Sequence, residues 1–142
     1  MKNLIGMKIL IVDDDPVVQE LIKDMLAKEG YKNIQTVGSG EEALKMMKQN
    51  PPDLVVLDIL LPGIQGYEVC RKIRAGKATV YTPVLMMTGS ILDKEKALEK
   101  SFEAGVTDFI TKPIKTGELL ARVKSALTIK QQYNRMIKQL NE

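Results

Sequence analysis

The chain has 142 residues, 21 Lys and Arg against 18 Asp and Glu, no His, no Trp and a single Cys, which suits one globular domain able to bury roughly 70% of its unfolded surface. Without His there is no imidazole metal site, no Ser-His-Asp triad and no imidazole proton shuttle; one Cys makes neither an internal disulfide framework nor a four-thiolate zinc site. The net charge of +3 is too small to point to nucleic acid, and it is unevenly placed: residues 119–142 hold five basic residues against Glu142 alone, while the first 118 hold 16 basic and 17 acidic. No stretch approaches the ~18 apolar residues of a membrane span, and Met1 to Val12 is too short for a leader with a cleavage site, so a cytoplasmic location is expected.

Met7-Lys8-Ile9-Leu10-Ile11-Val12 is a β-branched, nearly continuous apolar run, the pattern of a strand buried on both faces. Asp15-Pro16 then opens a helix, with Asp as N-cap and Pro at the first helical position. Val17, Val18, Leu21, Ile22, Met25 and Leu26 form its apolar stripe, and Gly30 closes it. A second strand is predicted at Asn33–Val37, and Ser39-Gly40-Glu41-Glu42 matches a capping box before a helix ending near Gln49. After the Pro51-Pro52 break come a third strand at Leu54–Leu57 with Asp58, and a helix at about Gly66–Arg74. A strand at Val84–Thr88, a helix at about Leu92–Glu103, a strand near Asp108–Thr111 and a last helix from about Thr116 complete the chain.

Five strand–helix units predict a parallel sheet covered on both faces, and right-handed crossovers make it an open, doubly wound α/β fold. Ligands of such folds bind outside the carboxyl ends of the strands. There the chain places Asp13-Asp14-Asp15, Asp58, Thr88 and Lys112-Pro113. Taken singly, each has a plain explanation: an aspartate after a strand caps the next helix, as expected for Asp15, and a lysine or threonine there is simply solvated. If the first, third, fourth and fifth strands are adjacent, the side chains converge. Clustered carboxylates cannot all ionise without a cation, and an oxygen-only donor set favours a hard ion such as Mg²⁺, with Mn²⁺ as the alternative. A hydroxyl and an ammonium beside it suit a phosphoryl group.

Four segments carry a family resemblance: Ile9-Leu10-Ile11-Val12-Asp13-Asp14-Asp15-Pro16, Asp53-Leu54-Val55-Val56-Leu57-Asp58-Ile59-Leu60-Leu61-Pro62-Gly63, Leu85-Met86-Met87-Thr88 and Asp108-Phe109-Ile110-Thr111-Lys112-Pro113. In order and spacing, over about residues 7–127, the chain resembles the receiver domain of two-component response regulators. The resemblance implies a flavodoxin-like (βα)5 fold with strand order 2-1-3-4-5. It implies Asp58 as phosphoacceptor from a phosphohistidine of a sensor histidine kinase or phosphotransfer protein. Asp13, Asp14, Asp58 and the Leu60 backbone carbonyl would hold Mg²⁺, and Lys112 would pair with phosphoryl oxygens. Thr88 and Phe109 would form the switch, and the Lys112–Pro113 bond would be cis. The fourth helix, fifth strand and fifth helix would form the output face.

Gln65 stands where relatives usually carry Asp, and Gly89 where Ala is usual. Leu60 and Ser90 occupy variable positions beside the site; an apolar Leu60 cannot orient water, which predicts slow hydrolysis of the acyl phosphate. Cys70 is expected to be a packed side chain. The expected domain spans residues 1–127, with 128–142 as a helical extension or linker. From Leu119 through Val123, Ala126, Lys130, Tyr133 and Ile137 to Leu140 the spacing is heptad-like with one Lys defect. That reads either as a helix that dimerises or leads to an output domain, or as a plain amphipathic extension. Two other functions compete. An Asp-nucleophile phosphatase usually carries its nucleophile in an Asp-x-Asp pair at the end of the first strand; here Asp13 and Asp14 are contiguous, and Asp58-Ile59-Leu60 lacks the second acid. A receiver that has become a phosphorylation-independent binding module commonly lacks one of the acids, the Thr or the Lys, and all are present here.

Overall fold

In the computed structural model, which describes residues 3–89 and 95–142, every predicted strand forms at its predicted place. The order along the chain is β1 (Lys8–Val12), α1 (Pro16–Lys28), β2 (Asn33–Val37), α2 (Gly40–Gln49), β3 (Leu54–Asp58), α3 (Gly66–Ala75), β4 (Val84–Thr88), α4 (Glu95–Ala104), β5 (Asp108–Thr111) and α5 (Thr116–Leu140). The expected start of the fourth helix at Leu92 lies outside the described residues, as does Ser90. All strand pairs are parallel, and the sheet order is β2-β1-β3-β4-β5.

The alternation of side chains along each strand divides the interior in two. On one face, Ile9, Ile11, Leu54, Val56, Leu85, Met87 and Ile110 pack against α1 and α5 through Ile22, Leu26, Leu119, Val123 and Leu127. On the other, Leu10, Val12, Val55, Leu57, Val84 and Met86 meet Ala43 and Met47 of α2, Val69 and Ile73 of α3 and Ala104 of α4. Burial on both faces explains why β1, β3 and β4 read as unbroken apolar runs.

Local chemistry sets the helix ends. The Asp15 carboxylate accepts from the Val17 amide at 2.9 Å, and Pro16 fills the first helical position, where no donor is needed. Gly30, at φ +108°, closes α1: its N–H donates to Ala27 O while Tyr31 N–H donates to Leu26 O, the paired bonds of a Schellman end. Ser39 Oγ caps Glu42 N at 3.1 Å, but the Glu42 carboxylate takes the Gly38 N–H at 3.2 Å instead of that of Ser39, so the expected box is shifted by one residue. Cys70 is fully buried, with Sγ 3.5 Å from Ala104 O, as a packed side chain should be. No described helix is long and apolar enough to cross a membrane.

Candidate functional site

The sheet order sets β1 beside β3 and β3 beside β4, so their carboxyl ends open on one crevice. Asp13, the first residue after β1, is wholly buried, and both its oxygens are engaged: Oδ1 accepts from Asp15 N at 2.8 Å, Oδ2 from Lys112 Nζ at 2.9 Å. Asp58 closes β3 with 7% of its surface exposed; Oδ2 accepts from Lys112 Nζ at 3.0 Å and Oδ1 from Leu60 N at 3.3 Å. Asp14 is exposed, and among the described residues no donor reaches its carboxylate. One oxygen from each of Asp13, Asp14 and Asp58 lies within 4.8 Å of the others. Lys112 thus bridges two carboxylates while the third is left free toward the crevice.

Burial pushes the Asp58 carboxyl above the ordinary aspartate value, and the Asp13 charge adds to this, against the lowering effect of Lys112. Burial alone would pull Lys112 down, but its hydrogen bonds and charge contacts with Asp13 and Asp58 outweigh that and raise it. The protein therefore holds a firmly charged ammonium beside a carboxylate whose ionisation is costly, an arrangement that a divalent cation would relieve. The donors are all hard oxygens, which fits Mg²⁺ or Mn²⁺ and not a soft metal.

Thr88 closes β4, is 5% exposed, and pairs in register with Thr111 of β5. Its carbonyl accepts the Lys112 amide at 2.6 Å, which ties the lysine-bearing turn to β4. The Lys112–Pro113 peptide bond is cis. Phe109 of β5 is half-buried and meets Phe102 of α4 edge-on, with ring centroids 4.9 Å apart. The Leu60 side chain is exposed beside Asp58. Gln65 starts α3 with its amide donating to Leu61 O at 3.4 Å, while Glu68 accepts from Gln65 N at 2.9 Å.

Three residues that sequence reasoning passed over shape the crevice. Gly66 has no room for a side chain: a Cβ would sit 2.5 Å from Asp58 O and 3.0 Å from Ile59 Cα, so the start of α3 lies directly against the strand end that bears Asp58. Glu41 of α2 accepts from Ile64 N at 3.3 Å and lies against Gly63, whose φ of +74° turns the β3–α3 loop. Gln19 of α1 reaches the main chain of the β1–α1 loop. Gly66 showed in the sequence only as a glycine where a helix begins and Glu41 only as part of a capping-box segment; their contacts, like those of Gln19, are not revealed by spacing.

The family model for the response regulator receiver domain matches residues 9–124. The chain is 40% identical over 119 residues to the transcriptional regulatory protein YvrH of Bacillus subtilis (strain 168), covering 84% of this chain and 48% of that protein. It therefore spans about half the length of the curated relatives it matches. The receiver domain of a signal transduction histidine kinase from Syntrophus aciditrophicus superposes with TM-score 0.79 at 36% identity, covering 87% of this chain and 91% of that one. The receiver domain of a sensor histidine kinase from Pseudomonas aeruginosa PAO1, whose structure has a magnesium ion coordinated in the active site cleft, superposes with TM-score 0.78 at 31% identity over 87% and 98% of the two chains. Fold order, the aspartate–lysine crevice and these matches converge: the chain belongs to the family of response regulator receiver domains of two-component signal transduction.

Proposed function

We propose that this chain is a phosphorylation-activated signalling switch that accepts a phosphoryl group on Asp58 from a phosphohistidine of a sensor kinase or phosphotransfer protein. The observation that carries this reading is Asp58 itself: a nearly buried carboxylate at a strand end, 3.0 Å from Lys112, with Asp13 and Asp14 converging on it. In the transfer, an Asp58 oxygen forms a bond to phosphorus as the phosphorus–nitrogen bond of the donor breaks, and the departing imidazole keeps the electron pair and takes up a proton. Such reactions need positioning and charge neutralisation more than covalent help.

Asp13, Asp14, Asp58 and the Leu60 carbonyl would hold Mg²⁺, which supplies positive charge to the phosphoryl oxygens. Lys112 exchanges a carboxylate partner for a phosphoryl oxygen on the other side. Phosphorylation replaces one negative charge with a more highly charged group bearing three acceptor oxygens. The Thr88 hydroxyl is then drawn toward it, and the space it leaves admits the half-buried Phe109 ring, changing the surface formed by α4, β5 and α5. Residues 1–127 would form the receiver and 128–142 an extension. The protein would turn over no external substrate, and its readout would lie in a partner or output domain.

The deciding experiment is intact-mass spectrometry after incubation with Mg²⁺ and a small acyl phosphate donor, with Asp58→Asn in parallel. One Mg²⁺-dependent, alkali-labile phosphate on the wild type and none on the variant is expected. No adduct with any donor or metal would overturn the reading in favour of a phosphorylation-independent binding module.

A further inference from the structure

We infer that Gln19, on the sheet-facing side of α1, is a positioning residue for the cation site, acting by fixing the peptide plane between Asp13 and Asp14; the inference rests on the reading of Asp13 and Asp14 as cation ligands. Gln19 Nε2 donates to Asp13 O at 2.5 Å and to Val37 O at 3.2 Å. A primary amide nitrogen has two hydrogens, and here each has a main-chain carbonyl. Val37 O also accepts the Asp13 N–H at 3.2 Å, so the first residue after β1 is held to the end of β2 directly at its N–H and, through Gln19, at its C=O.

The consequence falls on Asp14. The Asp13 carboxylate is already fixed by Lys112 and the Asp15 amide. The Asp14 carboxylate has no such hold among the described residues, so its direction depends on the backbone from which it springs. The Asp13 carbonyl lies in the same peptide plane as the Asp14 nitrogen and Cα. Gripping that carbonyl from α1 sets where the Asp14 side chain leaves the chain, and with it the spacing of the three carboxylates. Outer residues that orient ligands in this way ordinarily weigh heavily on metal affinity.

Gln19→Met keeps length, volume and helix propensity but removes both donors. Mg²⁺ affinity of the full chain, read by calorimetry, is expected to fall roughly tenfold. Mn²⁺ affinity, read by the water-proton relaxation that bound Mn²⁺ enhances and measurable for weak sites, should fall in parallel. In an Asp14→Asn background the same substitution should cost less than about twofold, since the ligand through which it acts is already altered. Gln19→Asn, which keeps the amide on a chain one methylene shorter, should give an intermediate loss, and it carries the test if Gln19→Met does not fold. A lowered thermal midpoint with unchanged ion affinity, or an equal loss with and without Asp14, would overturn the role of Gln19 while leaving the cation site standing. A wild-type protein that binds neither ion would overturn the cation site itself, and this role with it.

Discussion

Asp58 is the residue at which folding and the proposed function pull in opposite directions. Its carboxyl is raised above the ordinary aspartate value of 3.8 because burial penalises the charge. An acid whose folded-state value is raised stabilises the fold while protonated and loses that contribution as pH rises through the folded value. At pH 7 and without divalent cation, the ionised group is therefore a burden. Asp58→Asn should raise the thermal midpoint by a few degrees at pH 7, and the difference should close as pH falls toward 3.8; scanning calorimetry across that range checks both. Mg²⁺ should raise the wild-type midpoint and do less for the variant. Lys112→Ala should change Mg²⁺ affinity by less than about tenfold, because losing its hold on Asp13 and Asp58 is offset by removing a positive charge beside the proposed cation site. It should, however, stop the Thr88 and Phe109 resonances from responding to phosphorylation, which solution NMR would show.

At the scale of elements, the sheet presents the groups of the candidate site and the helices press against them. The N-terminus of α3 touches the end of β3 at Gly66, where the nearest atoms to an added Cβ are backbone and cannot swing aside. Gly66→Ala should therefore destabilise by roughly 1–3 kcal/mol in urea unfolding. It should also lower the yield of phospho-adduct on Asp58, since relief requires the β3–α3 loop to move. The helix starts at Asp15 and Ser39 were legible because a capping side chain and its target amide are near neighbours in sequence. The grip of Glu41 on Ile64 and of Gln19 on Asp13 and Val37 was not, because these contacts exist only once helices lie across the sheet.

At the scale of the whole molecule, α5 is one helix from Thr116 to Leu140 that serves two environments. Leu119, Val123 and Ala126, the first half of the heptad-like seam, are buried in the chain's own core and are thus already occupied. Lys130, the apparent defect, is partly buried, which lowers its ammonium below the ordinary lysine value against the opposing effect of the Asp53 charge, and it stands 5.0 Å from the Tyr133 ring. Tyr133 in turn meets Tyr81, centroids 4.5 Å apart, before the helix leaves the domain with Met136 and Leu140 exposed. Removing residues 135–142 should leave the thermal midpoint unchanged. Removing 129–142 also deletes the tyrosine pair and should cost about 0.5–1.5 kcal/mol while the fold persists. If sedimentation shows a dimer, only the longer chain should form it.

The sequence by itself determined the strands, the N-caps at Asp15 and Ser39 and the class of the fold, because these depend on the period of apolar residues and on hydrogen bonds between near neighbours. It also placed Asp13, Asp14, Asp58, Thr88 and Lys112 at strand ends, and through the family resemblance it implied their chemistry. The tertiary structure decided which of those ends meet. The adjacency of β1, β3, β4 and β5 brings Lys112 to two aspartates 54 and 99 residues away. It also decided the burial that raises Asp58 and the clamps at Gln19, Glu41 and Gly66. These depend on distance and dielectric between segments remote in the chain, which no local pattern encodes.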